Sequence, residues 1–380
     1  MNTPFIDLAS QQNRIRSEIE QNIETVLNHG QYIMGPEVAE LEDVLSKYVG
    51  TQHVVTCGSG TDALLLALMG LKLKPGQGVI VPSFTFTASA EVMPLLGAIP
   101  IFAEINEETY TLNPSRLPDA LQSAKDAHIE VVGIMAVGLF GQPAQMDEIN
   151  AFAQTNGFWV LDDAAQSFGT EYRGRKTGTL ANVTCTSFFP AKPLGCYGDG
   201  GALFTDNDEI AQIARSARIH GQGVHKYQCD RLGMTARLDT IQAAILLAKL
   251  DIFEDELKQR ESIANYYHEL LSDWVQTPVC HSDMTSSWAI YTLNLPKSVD
   301  RKQMQESLGK NGIPTAIYYP IPMHLQKPYE HFPRAKFGLE VSESLAQTVL
   351  SIPMHPYLKK EDQQTISNAI IDTIKTSGSN

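Results

Sequence analysis

Cysteine is scarce in this 380-residue chain. The five that occur, at 57, 185, 196, 229 and 280, form no CxxC pair and have no histidine-rich partner motif. Such an odd, scattered set excludes a disulfide framework and a cysteine-ligated zinc site, and reads as reduced thiols in a cytoplasmic protein. Positive charge is also short: 29 Lys and Arg stand against 43 Asp and Glu, a net of −14. That balance argues against nonspecific nucleic-acid binding and against adhesion to an anionic membrane, while leaving room for a local basic pocket. Long apolar runs are missing as well. An uncharged stretch as long as any, 131–146, has 16 residues and is interrupted by Gly133, Gly138, Gly141 and Pro143. A membrane span needs roughly 20 apolar residues. Residues 1–14 are polar and lack the apolar core of a secretory signal.

What is present is alternation. β-rich runs near 54–57, 79–81, 99–103, 131–137, 158–161, 184–188 and 202–205 are separated by amphipathic stretches such as 62–71 and 146–154. This pattern predicts an α/β protein with a mostly parallel seven-stranded sheet covered by helices on both faces. The last two runs, joined by the glycine-rich segment 190–201, are too close for a helical crossover, so one is expected to run antiparallel. At roughly 100–200 residues per domain, the length suggests two. We expect a large domain over 1–250 and a smaller C-terminal α/β domain over 251–380. A long helix over 237–271 leaves the sheet. Beyond it, strand-like 289–295 and 315–319 alternate with helices near 302–310 and 361–376.

Four tracts carry candidate chemistry. Residues 57–63 (CGSGTDA) follow a strand and open an apolar helix, so Gly60 and Thr61 lie at a helix N-terminus that suits a phosphate. The same letters fit a loose dinucleotide turn, but the second strand ends VIVPS, without the acid that would hold a ribose. A capped tight turn with no ligand is equally consistent. Residues 158–166 (FWVLDDAAQ) end a strand on two acids at the sheet's carboxyl edge, where open α/β folds bind ligands. There Asp163 can pair with a protonated ring nitrogen and Gln166 with a neighbouring oxygen, or the acids can simply cap a turn. Residues 186–195 (TSFFPAKPLG) place Lys192 on a constrained turn after a buried strand. A lysine there becomes a Schiff-base nucleophile if burial holds it neutral, and is a solvated surface group otherwise. In 82–87 (PSFTFT) the aromatics read chiefly as core, though one can stack on a planar cofactor. Together these are the parts needed for pyridoxal 5′-phosphate (PLP), whose electron-sink chemistry depends on a protonated ring nitrogen.

With these tracts in order, and with 30–36 (GQYIMGP), 198–202 (GDGGA) and 237–239 (RLD), the chain closely resembles the DegT/StrS family of PLP-dependent nucleotide-sugar aminotransferases over nearly its whole length. The resemblance implies PLP-dependent transferase fold type I, of the aspartate aminotransferase kind, and a homodimer with the active site at the interface. It makes Lys192 the Schiff-base lysine and catalytic group, and Asp163 the partner of the pyridine nitrogen. Gln166 falls near the cofactor's phenolic oxygen, Gly60, Thr61 and Ser187 on its phosphate, and Phe86 over its ring. Some relatives with histidine in place of this lysine are sugar dehydratases, so Lys192 favours transamination. Thr235 stands where many members have an asparagine that reaches the neighbouring subunit's cofactor phosphate.

Residues 192–198, 238–247 and 352–358 look most like the subgroup that aminates C3 of UDP-2-acetamido-2-deoxy-3-keto-glucuronic acid for bacterial surface polysaccharide, including lipopolysaccharide O-antigen. The expected partners are therefore a UDP-linked keto-sugar and L-glutamate. Arg237 is the candidate for the sugar carboxylate. Tyr318 and Tyr319 are further substrate contacts, Tyr318 standing where the subgroup usually has histidine. The alternatives are a UDP- or dTDP-4-keto-hexose aminotransferase and a catalytically silent PLP-binding regulator. The intact Lys192 and Asp163 argue against the second.

Overall fold

The computed structural model describes residues 3–225 and 227–377. Three helices, α1 (Leu8–Arg14), α2 (Arg16–His29) and α3 (Pro36–Val49), lead into the first strand, β1 (His53–Cys57). α3 starts with proline in its first turn and stops at Gly50, whose left-handed backbone returns its N–H to the Ser46 carbonyl, the usual asymmetry of helix ends. Then follow α4 (Gly60–Gly70), β2 (Gly78–Pro82), α5 (Ala88–Leu95), β3 (Ile99–Ala103), α6 (Leu117–Asp126), β4 (Val131–Val137), α7 (Met146–Asn156) and β5 (Trp159–Asp163). A small hairpin, β6 (Glu171–Tyr172) and β7 (Arg175–Lys176), precedes β8 (Val183–Ser187), β9 (Gly201–Thr205) and α8 (Asp208–Ala217).

Seven of these strands form one sheet in the order β1-β9-β8-β5-β4-β2-β3. All run the same way except β9, which pairs antiparallel with both β8 and β1. The expected antiparallel strand is thus found, and it is the second of the closely spaced pair. Every residue of β2 and β9 is buried, which explains their unbroken apolar runs: strands covered on both faces have no polar side to present. Gly133 on β4 is required by packing. A Cβ there would lie 2.3 Å from the Trp159 ring on the neighbouring β5.

α9 (Thr240–Leu271) is shared between two apolar clusters. Its first half, with Ala243, Leu246 and Phe253, packs against β1, β9 and α3. There Phe253 stacks on Phe168, which in turn stacks on Phe204; removing such a ring costs about 3–5 kcal/mol. Its second half, from Ile263 to Leu271, belongs to a C-terminal cluster with β10 (Tyr291–Asn294), α10 (Arg301–Lys310), β11 (Val349–Ile352) and α12 (Lys360–Ser377). Within this unit β10 and β11 pair antiparallel, and α11 (Glu340–Thr348) runs directly into β11.

The expected strand at 315–319 is not formed. Only Ala316 bridges to Ser351, through two backbone bonds of 3.1 and 2.8 Å. Proline at 314, 320 and 322 removes the donors that would extend the ladder, and the chain turns away to carry Tyr318 and Tyr319 elsewhere. No helix among the described residues is long and apolar enough to cross a membrane.

Candidate active site

A cavity of about 490 Å³ opens at the carboxyl ends of β5 and β8, between the sheet and the C-terminal unit. Strand periodicity decides which of two adjacent acids reaches it. Successive side chains on β5 point to opposite faces; Asp163 lines the cavity and Asp162 does not. Both are buried. Asp163 accepts hydrogen bonds from the Ser89 hydroxyl (2.7 Å) and, more weakly, from the Ala165 amide (3.2 Å). Burial raises its pKa above the usual carboxylate value, against the pull of those bonds and of Lys192. Ser89, near the start of α5, is held in turn by Thr85 at 3.0 Å.

Lys192 rides on the turn after β8. Its amide bonds the Phe189 carbonyl at 2.8 Å, and Cys196 closes the turn onto the Phe188 carbonyl, also at 2.8 Å. Burial lowers the pKa of its amine, which favours the neutral form, while Asp163 acts in the opposite direction.

At the same end, Ser59 caps α4 through the Asp62 amide at 3.0 Å. The amides of Gly60 and Thr61, at the first turn, have no intrahelical partner by position. Gly60 permits a close approach to β8, since a Cβ on it would lie 2.7 Å from the Ser187 Cβ. Ser187 accepts the Phe189 amide at 3.2 Å, leaving its own proton free to donate.

The opposite end is built from distant parts of the chain. Gln166 accepts the Phe140 amide at 2.7 Å and donates to the Tyr319 hydroxyl at 3.4 Å. Tyr319 packs against Phe84, Phe86 and Tyr318, with ring centroids 5.7–6.2 Å apart. Phe84 is fully buried, whereas Phe86 is 52% exposed and lines the cavity. One aromatic of the 82–87 tract is therefore core and the other faces the site. Phe5 and Ile6 also line this end, and Phe5 meets Tyr318 edge-on at 6.4 Å.

Of the candidates read from sequence, Gly60, Thr61, Phe86, Asp163, Gln166, Ser187, Lys192, Tyr318 and Tyr319 thus meet around one cavity. Thr235 and Arg237 do not line it. The Thr235 hydroxyl is exposed and bonded to His220 Nε2 at 2.7 Å. Arg237 is half-buried, with Nε lacking a partner. Their tract runs behind the phosphate-cup loop, where the Gly58 amide bonds the Ala236 carbonyl at 3.1 Å. Ser89, Phe5 and Ile6 were not foreseen. No local motif marks them, because each reaches the site only through the tertiary fold.

The donor set fits PLP. A phosphate dianion matches the free first-turn amides of α4 and the Ser187 hydroxyl. A buried carboxyl that lines the cavity and keeps spare lone pairs matches a ring N–H, and a lysine rendered less basic by burial faces the same space. Among the residues lining the cavity, Lys192 is the one cation.

Comparison with known proteins agrees with this chemistry. The model of the DegT/DnrJ/EryC1/StrS aminotransferase family matches residues 13–371. A relative from Pseudomonas aeruginosa, UDP-2-acetamido-2-deoxy-3-oxo-D-glucuronate aminotransferase, is 46% identical over 96% of this chain and 99% of its own. A crystal structure of a DegT DnrJ EryC1 StrS aminotransferase from Brucella abortus superposes with a TM-score of 0.94. It is 44% identical and covers 97% of this chain and 98% of its own. The structure of NtdA from Bacillus subtilis, with bound cofactor PMP, is 27% identical with a TM-score of 0.87. That match covers 98% of this chain and 83% of NtdA.

Proposed function

The chain belongs to the DegT/DnrJ/EryC1/StrS aminotransferase family, and from that membership we propose that it moves the amino group of L-glutamate to C3 of UDP-2-acetamido-2-deoxy-3-keto-glucuronic acid. PLP is the carrier, and the enzyme works as a cytoplasmic homodimer. The observation that carries the reaction is the meeting of Lys192 and the buried Asp163 in one cavity beside the amino end of α4. The likeness to the Pseudomonas enzyme supports the substrate.

Bound PLP would supply an electrophilic carbon and a cationic ring that takes up electrons released at the donor's Cα. The chain's own residues do the rest. Gly60, Thr61 and Ser187 hold the phosphate, and Asp163 keeps the ring nitrogen protonated. Lys192 Nζ, made less basic by burial, accepts the proton from the donor's Cα and later delivers one to C3 of the sugar. Phe86 covers one face of the ring. Tyr318 and Tyr319, the latter braced by Gln166, orient the sugar at the far end.

A UDP-sugar acid brings a pyrophosphate and a carboxylate, yet Lys192 is the one cation lining the cavity. The homodimer supplies the missing charge: we read the tract with Thr235 and Arg237 as serving the neighbouring copy's site, Arg237 toward the carboxylate. Tyr32, Ile33, Phe189 and Leu232 are large apolar residues left exposed in the single chain, which supports such a second copy.

The test is product analysis by mass spectrometry and NMR with L-glutamate and either the 3-keto-uronate or a UDP-4-keto-hexose. The reading expects a 3-amino uronate with equimolar 2-oxoglutarate. Amination of the 4-keto-hexose alone would overturn the substrate assignment.

A further inference from the structure

Lys249 lies in the first half of α9 and is 1% exposed. A buried ammonium is costly, and an apolar side chain of similar volume would fill the same space without that cost. Its contacts show what the charge does. Nζ donates to the Gly195 carbonyl at 2.5 Å and sits 4.2 Å from the centroid of the Tyr197 ring. Both partners belong to the turn that carries Lys192. Two turns earlier on the same face of α9, Gln242 accepts the Tyr197 amide at 2.8 Å, and its side-chain amide packs 3.2 Å from where a Cβ on Gly198 would stand. Further along α9, Glu256 is buried and accepts from Gln11 at 2.8 Å and Tyr357 at 2.5 Å. Burial lowers the pKa of Lys249 to about 8, against the opposing influence of Glu256.

Apolar packing also seats the turn: Leu194 and Cys196 are buried in the cluster that holds Ala243 and Leu246 of α9. Its own backbone bonds run from Lys192 to Phe189, from Cys196 to Phe188 and from Phe188 to Gly200; they close the loop, and the polar contacts from α9 come in addition to them. Gly195 is itself pressed against the Phe189 and Pro190 carbonyls, where a Cβ would come within 2.6 Å of both.

We infer that Lys249 and Gln242 are positioning residues for Lys192. By holding the Gly195 carbonyl and the Tyr197 amide, α9 fixes the turn so that the Lys192 amine is presented to the cavity. The inference rests on the reading above that Lys192 is the reactive amine.

The test uses cofactor-free full-length protein and follows the visible absorbance that appears on adding PLP, as a rate and as a function of pH. The variants are Lys249→Met, Lys249→Arg and Gln242→Leu, with thermal unfolding measured on each without cofactor. Lys249→Met is expected to slow band formation about 10- to 100-fold, since small misplacements of a reacting group cost rate on that scale. It should also shift the pH midpoint of the band, and Lys249→Arg should recover part of both. Gln242→Leu should slow the rate by a smaller factor. A folded Lys249→Met with wild-type rate and midpoint would overturn the inference. If Lys249→Met does not fold, Gln242→Leu decides alone: a wild-type rate overturns the proposal and a slowed one supports it. Absence of any band in the wild type would instead strike at the role of Lys192 itself, so the two failures are distinguishable.

Discussion

The two ends of the cavity are made in different ways. The end we propose for the cofactor is a set of strand ends and their following turns: Asp163 closes β5, Ser187 closes β8, Lys192 lies on the turn five residues later, and Gly60 and Thr61 open α4. Asp163, Ser187, Gly60 and Thr61 are fixed by the hydrogen-bonded sheet or by a helix cap, and the turn of Lys192 is held by its own backbone bonds and by α9. The sugar end is assembled from Phe5 and Ile6, from Ala289 and Ile290, and from Tyr318 and Tyr319. These come from three segments far apart in sequence, none in a long strand or helix. The contrast teaches that reaction chemistry is placed on rigid edges, where a small displacement is costly. Selectivity is placed on irregular segments, which tolerate exchange.

If this division is right, substitutions at the two ends should fail differently. Lys192→Ala should give the largest effect, lowering turnover by about 10⁴-fold or more while the folded protein still binds pyridoxamine phosphate. Turnover near wild type would remove Lys192 from the mechanism.

The adjacent acids offer a sharper contrast. Asp163→Asn should lower turnover with glutamate by about 10²–10³-fold, as loss of a preorganised electrostatic partner does. Asp162→Asn should act on stability instead. Asp162 is fully buried, and burial, with the Asp163 charge, raises its pKa to about 7 from 3.8 against the pull of the Thr184 hydroxyl. Between those values the folded chain holds a proton that the unfolded chain has lost, so this group makes the wild type less stable as pH rises. Relative to wild type, Asp162→Asn should therefore gain stability from pH 4 to pH 7 in denaturant titrations. A difference that does not change with pH would contradict the assignment.

The smallest effect is expected at the sugar end. Phe5→Ala removes an edge-on contact with Tyr318 and should raise KM for the keto-sugar about three- to tenfold. The glutamate half-reaction and PLP affinity should stay as they are. An equal loss in both half-reactions would erase the proposed division between the two ends.

The same division decides what could be read from the sequence. The sheet, the single antiparallel strand and the convergence of Asp163, Gln166, Ser187 and Lys192 on one cavity were legible because strand, turn and chemical group are contiguous: Asp163 and Gln166 in one tract, Ser187 and Lys192 in another. The C-terminal unit was harder. Residues 315–319 have strand-like composition, but flanking prolines limit them to one bridge, and β11 follows α11 with no turn residue to announce it. Ser89 carries no local signal, since its role depends on the start of α5 reaching the last residue of β5. Lys249 is hidden within an apolar helix, and only the tertiary contact with Gly195 reveals its use.

The central claim is that Lys192 and Asp163 act on PLP to take an amino group from one substrate and pass it to another. It is tested most directly by the visible absorption spectrum of PLP-loaded protein, recorded before and after L-glutamate and again after the 3-keto-uronate. The account predicts that glutamate abolishes the visible band with release of one equivalent of 2-oxoglutarate per site, and that the keto-sugar restores it. A band unmoved by glutamate and by other amino acids would contradict the account.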